Sequence, residues 1–319
     1  YSTHCSGAKS TMTVSAFAPA TIANLGPGFD VLGLAIDGLG DTVTVAFCKE
    51  PGVHIGSITG DNGLLPKDPA LNTASVAARA TLRAAGIDAN IRLHVHKGLP
   101  LCSGLGSSAA SAAAAAFATN ILIGKPLRKY DLVQPCIEAE AVVSGRHADN
   151  VAPSLLGGLV LVRSVDPIDL VRLPIPEGLT MVVVTPSLEL PTKQARAVLP
   201  PHVPLATMVD TTAQVASLVS ACYSGDLSLL SRSLEDPVVT PARIGLIPGG
   251  AAAIDAALGT GALGASISGA GPSLFAMCRS ARSAQLAASA MADVLHEHGN
   301  STTIHLSSAN CPGVRTVPV

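Results

Sequence analysis

The chain has 319 residues, of which 48% are hydrophobic and 13% are charged, and its formal net charge is -2. A chain of this length can form two domains, or one large domain, around a substantial core. Because its Lys and Arg residues form no concentrated basic run, nucleic-acid binding is disfavoured. Its seven cysteines are scattered and form no CxxC pair, which argues against a disulfide framework or a zinc site.

Two segments bear on targeting and membrane insertion. Residues 1–11 are polar, rich in Ser and free of acidic residues, as expected of a tag or transit-peptide remnant. The segment Leu99–Gly124 has no charged residue and is long enough to span a bilayer. Its glycines, serines and alanines are too weakly hydrophobic to favour lipid, so we expect a buried helix and no membrane contact.

The first half is predicted to begin as sheet. Aliphatic and β-branched segments between Gly and Pro signals predict four strands, at Val14–Ala18, Val31–Ile36, Thr42–Cys48 and Ile91–His96. The Asp68-Pro69 pair is a helix-start signal, and the helix that follows is predicted over Ala70–Ala85, before Gly86. The last of the four strands leads into a Gly- and Ser-rich loop and an Ala-rich helix.

The rest of the chain mixes helices and strands without strict alternation, which favours an α+β fold. Further helices are predicted at Leu127–Val143, with a disturbance at Pro135, and at Ala206–Tyr223, Leu227–Leu234 and Ala281–His298. Strands are predicted near Leu159–Arg163 and Met181–Val184. A proline-rich seam predicts two domains, 12–166 and 167–319, with the prolines at Pro167, Pro174 and Pro176.

The segment Pro100–Ala110, PLCSGLGSSAA, carries the main functional signal. Glycines and serines at a helix entrance leave backbone N–H groups pointing outward, and the helix dipole adds positive potential, so the segment suits a polyphosphate. The hydroxyls of Ser107 and Ser108 can donate to phosphate or coordinate magnesium. Taken alone, the same residues are equally typical of a tight turn and N-cap before a buried helix.

Two other phosphate loops compete with this interpretation. The P-loop pattern fails because no GK[ST] follows the glycines, whereas residues 104–109 satisfy the GxGxx[GA] pattern of dinucleotide-binding folds. No acidic strand end lies about 20 residues further on to bind a ribose, which weakens this second pattern. A dinucleotide-binding oxidoreductase therefore remains the weaker alternative.

Three motifs in order resemble those of the GHMP small-molecule kinases. PLCSGLGSSAA resembles the family's central ATP motif, APATIANLGPGFDVLG (Ala18–Gly33) its N-terminal motif, and SGAGPS (Ser268–Ser273) its C-terminal motif. The resemblance implies an α+β, two-domain fold. Its N-terminal, ATP-binding domain would contain a left-handed βαβ crossover, and its C-terminal domain would be ferredoxin-like. It also implies ATP and Mg2+ as cofactors and a possible homodimer.

Within that family the chain resembles the homoserine kinases, and among these the plant-type members. NLGPGFD, HADNVAP, TKQAR and PAR resemble their substrate-side signatures. The implied reaction is ATP-dependent phosphorylation of the homoserine hydroxyl, in plastids if the source is a plant and in the cytoplasm otherwise. The implied amino-acid pocket consists of Asn24, Asp30, His147, Asn150, Thr192, Arg196 and Arg243. Asp30 suits the substrate ammonium, and the two arginines suit its carboxylate.

On the nucleotide side, the resemblance implies a larger set. These residues are Asn72, Lys97, Pro100, Leu101, Cys102, Ser103, Gly104, Leu105, Gly106, Ser107, Ser108, Ala109, Ala110, Ser268, Gly269 and Gly271. Glu140 would bind magnesium together with Ser108 and would in that way be catalytic, with Glu138 as the nearby alternative. Asn24 would orient the substrate hydroxyl, and His147 remains possible as a base because imidazole has a suitable pKa.

Some features leave other interpretations open. Thr240 occupies a position where homoserine kinases often carry Glu, and Cys102 lies inside the phosphate loop. Another GHMP small-molecule kinase, or a ligand sensor that keeps the fold without turnover, is the alternative function. The retention of both Ser108 and Glu140 argues against the sensor.

Overall fold

The computed structural model describes residues 12–319, so the interpretation of residues 1–11 lies outside the described part. The N-terminal half contains β1 (Thr13–Ala23), β2 (Leu32–Phe47), β3 (Val53–Thr59), α1 (Thr73–Ala84), β4 (Ile91–His96), α2 (Ser107–Leu122), α3 (Val133–Glu140), α4 (Val151–Leu156), β5 (Leu159–Val165) and β6 (Ile168–Leu173). Its strands form one sheet in the order β1-β2-β4-β3, and β5 pairs with both β2 and β6. Helices α1, α2 and α4 pack on this sheet, and α3 packs against these helices.

The two strands predicted at Val31–Ile36 and Thr42–Cys48 are one strand, β2, and the prediction of a break was wrong. Strand β1 pairs with β2 along nearly its whole length, with a register shift where Pro19 faces Gly40 and Ala20 faces Ile36. Residues 37–39 therefore bulge out of the ladder. Glycines that resemble a turn signal here mark a bulge inside a continuous strand.

The Ala-rich helix α2 is buried, as predicted, against β1, β2 and α1. Alanine side chains are small, so the helix backbone lies close to the sheet. No helix within residues 12–319 is long and apolar enough to cross a membrane. Placing this stretch in a protein interior was therefore correct.

Helices α1 and α3 begin later than predicted. Asp68 caps only a turn, accepting a bond from the Ala70 amide (2.8 Å), whereas the Asn72 side chain caps α1 through the Ala74 amide (3.0 Å). A 3-10 turn, Lys129–Leu132, precedes α3. Pro135 then lies in the first turn of α3, where a missing N–H breaks no helical hydrogen bond, so it does not disturb the helix.

The C-terminal half contains β7 (Thr180–Pro186), α5 (Thr192–Ala197), α6 (Leu205–Ser224), α7 (Leu227–Arg232), α8 (Val239–Arg243), α9 (Gly250–Gly259), β8 (Gly264–Ile267), β9 (Leu274–Cys278), α10 (Ala281–Glu297) and β10 (Thr302–Ser308). Its four strands lie in the order β10-β7-β9-β8, with antiparallel pairing throughout. The chain order strand, helices, strand, strand, helix, strand with this sheet order is the ferredoxin-like arrangement, as predicted.

A last short strand ties the two halves together. This strand, β11 (Arg315–Val317), follows the C-terminal elements and pairs with β1 on the edge of the N-terminal sheet. The two-domain division stays a prediction, and its boundary between residues 166 and 167 falls in the β5–β6 turn. Strands β3 and β4 are parallel neighbours joined through α1, which makes them the βαβ unit of this half.

Candidate active site

A cavity of about 560 Å³ lies between the N-terminal helices and the C-terminal half. It is lined by the phosphate loop and the first turn of α2, by the end of α3, by the segments around residues 24–30 and 147–150, and by α5. A volume of this order is typical of a small-molecule site. The cavity therefore collects residues from distant parts of the chain around one ligand space.

The phosphate loop enters α2 through left-handed backbone at Gly104 (φ 78°) and Gly106 (φ 67°). A Cβ at Gly104 would lie 2.4 Å from the Ser268 carbonyl oxygen, and one at Gly106 would lie 2.1 Å from Thr21 Oγ1. The glycines are therefore required by close contact with the protein behind the loop. The sequence-based reason for these glycines was that they leave backbone N–H groups pointing outward, and the contacts behind the loop are a separate reason.

The C-terminal Gly-rich motif supports this loop. The Ser268 hydroxyl donates to the Gly104 carbonyl (2.8 Å), and the Ser273 amide donates to the Ser103 carbonyl (3.1 Å). Ser268 is fully buried. The motif therefore fixes the shape of the loop from behind, and of its three predicted ATP ligands only Gly269 lines the cavity.

The other predicted nucleotide residues divide in the same way. Those that line the cavity are Asn72, Lys97, Leu101, Cys102, Ser103, Gly104, Gly106, Ser107 and Ser108. Those that do not are Pro100, which is exposed, and the buried residues Leu105, Ala109 and Ala110. The side chain of Asn72 is engaged as the cap of α1 and also donates to the Pro66 carbonyl (3.0 Å). The segment Pro100–Ala110 thus contains both cavity-lining residues and packing residues.

Glu140, not Glu138, faces the cavity. Glu138 pairs with Arg83 at the surface, whereas Glu140 is buried at the end of α3 and accepts from the Ser144 hydroxyl (2.9 Å). Burial raises the pKa of Glu140, and the hydroxyls of Ser108 and Ser144 partly oppose the rise. Within residues 12–319, Glu140 Oε1 and the Ser107 hydroxyl are buried oxygens without a hydrogen-bond partner. They are positioned to receive a ligand.

The part of the cavity around Asp30, Arg196 and Arg243, which the resemblance assigns to the phosphoryl acceptor and which we call the acceptor half, is built on charged side chains. Asp30 forms two hydrogen bonds with Arg196 (2.8 and 3.2 Å), and His147 Nδ1 lies 3.6 Å from Asp30 Oδ2. Burial lowers the pKa of His147, although the nearby Asp30 carboxylate opposes this. Three predicted substrate residues from separate segments thus meet at one point.

A second guanidinium is held more rigidly. Arg243 is almost fully buried, and its Nε and Nη1 donate to the carbonyls of Ala195 and Gly269 (both 2.9 Å). Phe29 lies beside both guanidiniums, with its ring centroid 5.3 Å from Cζ of Arg243 and 5.4 Å from Cζ of Arg196. Sequence reasoning missed Phe29, although it lies inside the NLGPGFD segment.

Asn24 and Asp30 both adopt left-handed backbone, with φ of 73° and 59°. The Asn24 side chain accepts from the Asp30 amide and donates to the Gly269 carbonyl, both at 3.1 Å. Such backbone is uncommon outside glycine and concentrates at functional sites. The N-terminal motif therefore forms a tight loop, and the side chain of Asn24, a predicted substrate-binding residue, holds its shape.

Asn150 and Thr192 also line the cavity, and so does Asp149, which was not predicted as a ligand. The Thr21 hydroxyl donates to Asn150 Oδ1 (2.7 Å). Asp149 is buried, and this burial, followed by the nearby Asp30 carboxylate, raises its pKa to about 7. The sequence did offer a signal for Asp149, because this residue lies in the HADN segment between the predicted residues His147 and Asn150.

The two departures from the family pattern have clear surroundings. The Thr240 hydroxyl donates to Asp236 Oδ2 (2.8 Å) and bonds to the Ser266 hydroxyl (2.8 Å), so it fastens the short helix that carries Arg243. Cys102 lines the cavity with its side chain exposed, and partial burial raises the pKa of its thiol. Neither residue disrupts the site.

Comparison with known proteins agrees with this geometry. Residues 72–158 match the model of the GHMP kinases N terminal domain, and residues 218–297 match that of the GHMP kinases C terminal domain. A dinucleotide-binding fold is excluded, because β4, the strand before the loop, lies between antiparallel β2 and parallel β3 in a mixed sheet rather than in an all-parallel one. The chain belongs to the GHMP kinase family.

Its relatives narrow the assignment. Homoserine kinase of Chlorobium phaeobacteroides is 46% identical over 88% of this chain and 91% of its own length. The homoserine kinase of Arabidopsis thaliana is 46% identical over 91% of this chain and 80% of its own length. The crystal structure of homoserine kinase from Cytophaga hutchinsonii superposes with a TM-score of 0.94 at 42% identity, covering 99% of this chain and all of that one. Within the GHMP kinases, the chain belongs with the homoserine kinases.

Proposed function

We propose that this chain transfers the γ-phosphoryl group of ATP to the hydroxyl of L-homoserine, giving O-phospho-L-homoserine and ADP. The observation that carries the proposal is that the phosphate loop opens into the same cavity as Asp30, Arg196 and Arg243. The bond between the γ-phosphorus and its bridging oxygen breaks as a bond to the substrate oxygen forms. Such a transfer depends mainly on positioning and on neutralising charge.

The charges of the acceptor half match those of a free amino acid. Asp30 and Arg196 bond to each other through two hydrogen bonds. A ligand with both an ammonium and a carboxylate can take over both partners, whereas a sugar or mevalonate leaves at least one charge unpaired. Arg243 has two of its donors committed to carbonyls, so it supplies a fixed second contact for the carboxylate.

The residues beside the phosphate loop fit a magnesium ion. Glu140 Oε1 and the Ser107 hydroxyl are unpartnered buried oxygens, and Ser108 lies close enough to lower the pKa of Glu140. Among residues 12–319, no three His, Cys, Asp or Glu side chains are arranged so that they alone could hold a metal ion. One carboxylate with hydroxyls and phosphate oxygens is a common set for Mg2+, which supplies charge neutralisation on the phosphates when bound. We assign Glu140 and Ser108, with Ser107 added, to this role.

Three groups are positioned to handle the substrate hydroxyl. Asn24 can orient it, although one donor and one acceptor of its amide are already used. His147 and Asp149 can accept its proton, and of the two Asp149 has a pKa raised to about 7, near neutral pH, by burial. We favour Asp149 as the acceptor because its carboxylate form exists at neutral pH in the cavity beside Asn150.

A substrate screen tests the proposal directly. ADP release from Mg-ATP would be measured with homoserine, threonine, serine, mevalonate and galactose, and we expect turnover that is fastest with homoserine. Turnover with mevalonate or galactose alone would identify another GHMP small-molecule kinase. Tight nucleotide binding without ADP release on any acceptor would identify a ligand sensor.

We also propose a homodimer and, if the source is a plant, a plastid location, with the cytoplasm otherwise. Both rest on the similarity to homoserine kinases, including the Arabidopsis relative. Light scattering of the purified chain tests the first proposal. Imaging of a fluorescent fusion of the full precursor tests the second.

A further inference from the structure

A buried ion pair lies directly beneath the phosphate loop. Asp41, in β2, pairs with Lys97, just after β4, and their side chains are 0% and 2% exposed. The Lys97 ammonium also donates to the Ser107 carbonyl (2.9 Å) and the Ser111 hydroxyl (2.8 Å). An ammonium has three N–H donors, and all three have protein partners here.

The carboxylate of Asp41 is equally occupied. Besides Lys97, it accepts from the Ser111 hydroxyl (2.7 Å) and from the backbone amides of Gly98 (3.1 Å) and Leu99 (3.2 Å). Gly98 and Leu99 lie immediately before the phosphate loop, and Ser107 and Ser111 belong to the first turns of α2. The pair therefore holds both ends of the loop to the central strand of the sheet.

A network of this kind is a costly way to stabilise a fold. Burying two charges carries a desolvation penalty that their attraction offsets only with good geometry and further hydrogen bonds. An apolar pair of similar size is often as stable, so stability alone does not account for Asp41 and Lys97. Their partners instead fix specific backbone atoms on both sides of the loop.

We propose that Asp41 and Lys97 are positioning residues for phosphoryl transfer, which hold the loop amides and the Ser107 and Ser108 hydroxyls toward the cavity. Lys97 acts through the loop and is not a ligand of the phosphates, because a phosphate contact would require it to release one of three protein acceptors. The inference rests on the ATP half of the proposed function and is independent of the acceptor.

A double-mutant cycle separates positioning from direct contact. Asp41→Asn, Lys97→Met and the double variant would be compared in kcat and in KM for ATP. We expect each single variant to lower kcat/KM for ATP by about 100-fold, since small displacements of reacting groups have effects of this size. The double variant should be no worse than the more severe single variant.

Direct contact predicts a different pattern. If Lys97 binds phosphate, Lys97→Met raises KM for ATP, whereas Asp41→Asn frees the ammonium and leaves KM unchanged or lower. That result would overturn the proposal. A matched control is Asp169→Asn, which breaks the exposed Arg163–Asp169 pair on the β5–β6 hairpin and should leave activity unchanged.

An apolar replacement separates positioning from stability. In Asp41→Leu/Lys97→Met we expect the melting temperature to return close to that of the wild type while kcat/KM for ATP stays low. Recovery of both would show that the pair is only structural. If this variant does not fold, Ser111→Ala removes one hydrogen bond from each partner, and a loss of about 3- to 10-fold in kcat/KM with normal melting is expected.

Binding of a non-hydrolysable ATP analogue without acceptor keeps the two proposals apart. If the wild type binds the analogue and phosphorylates no acceptor in the screen, the proposed function fails. The positioning inference is then decided by the analogue affinity of the same variants. In that case, unchanged affinity for the analogue in both Asp41→Asn and Lys97→Met would reject it.

Discussion

The two halves of the cavity are built in contrasting ways. The nucleotide half uses main-chain groups and hydroxyls, shaped by close backbone packing behind Gly104 and Gly106 and by the buried Asp41–Lys97 pair. The acceptor half uses charged side chains that remain partly open, with Asp30 and Arg196 28% and 32% exposed. Under the proposed function, the phosphates of ATP would be bound mainly by backbone groups, whereas the acceptor would be selected by side-chain charge.

The difference also concerns preorganisation. The nucleotide half holds unpartnered buried oxygens at Ser107 and Glu140. In the acceptor half Asp30 and Arg196 bond to each other, although Arg196 Nε is also buried without a partner, and under the proposed function homoserine binding requires this pair to exchange partners. Substitutions in the first half should therefore affect the chemical step, and substitutions in the second should affect substrate affinity.

The largest expected effect comes from Glu140. Glu140→Gln keeps the size of the side chain and removes the charge beside the phosphates, so kcat should fall by about 100- to 1,000-fold while the fold is retained. Steady-state kinetics over a range of Mg2+ concentrations would measure this. Glu138→Gln, on the surface of the same helix, is the control and should behave as the wild type. Near-normal kcat in Glu140→Gln would remove the metal assignment.

Asp149 tests whether the acceptor half also takes part in chemistry. Its carboxylate form increases as pH rises through about 7, so kcat/KM for homoserine should rise over the same range and then level off. Asp149→Asn should abolish this rise and lower activity at pH 8 by about 100-fold. A pH profile that is identical in the variant would exclude Asp149 as the proton acceptor.

The same group has a consequence for stability. Burial raises the folded-state pKa above the ordinary 3.8, so the folded chain keeps the proton longer than the unfolded chain. The free energy of unfolding therefore contains a contribution that falls as pH rises from about 4 to 7. The difference in the free energy of unfolding between Asp149→Asn and the wild type should therefore be more favourable to the variant at pH 8 than at pH 4. Chemical denaturation of both proteins at the two pH values would measure it.

Arg196 provides the matching affinity test. Arg196→Ala leaves Asp30 without its partner and removes one contact to the substrate carboxylate, so KM for homoserine should rise by about 30-fold. The KM for ATP should change little. Arg163→Ala, at an exposed pair away from the cavity, is the control. Equal weakening for both ligands would show that Arg196 supports the structure of the site as a whole.

The smallest effect is expected from the packing behind the loop. Gly104→Ala places a Cβ against the Ser268 and Gly271 carbonyls in left-handed backbone, and should reduce the free energy of unfolding by about 2 kcal/mol. Gly124 has the same backbone type with open space around it, so Gly124→Ala should lose only about 1 kcal/mol. Thermal and denaturant unfolding would compare them. Equal losses would mean that packing behind the loop is unimportant.

The sequence predicted the parts of this site that short motifs encode. The phosphate loop, Glu140 and the substrate residues all lie in contiguous segments, and all but the packing residues line the cavity. Asp41 was missed because its partner Lys97 lies 56 positions away, just after another strand, and only tertiary structure pairs them. Strands β3, β6 and β8–β11 were missed because they are short or mostly lack a clear alternation. The bulge in β2 was mistaken for a turn because glycine signals both.

Strand β11 connects the end of the described chain with its beginning. Arg315–Val317 pairs with Ser15–Phe17, and Arg315 also bonds to Asp37 at the β2 bulge (2.8 Å). During synthesis on the ribosome, β1 therefore keeps one edge open until residue 317 has emerged. A release of the final strand, by truncation or by stalled translation, would expose that edge to pairing with other chains.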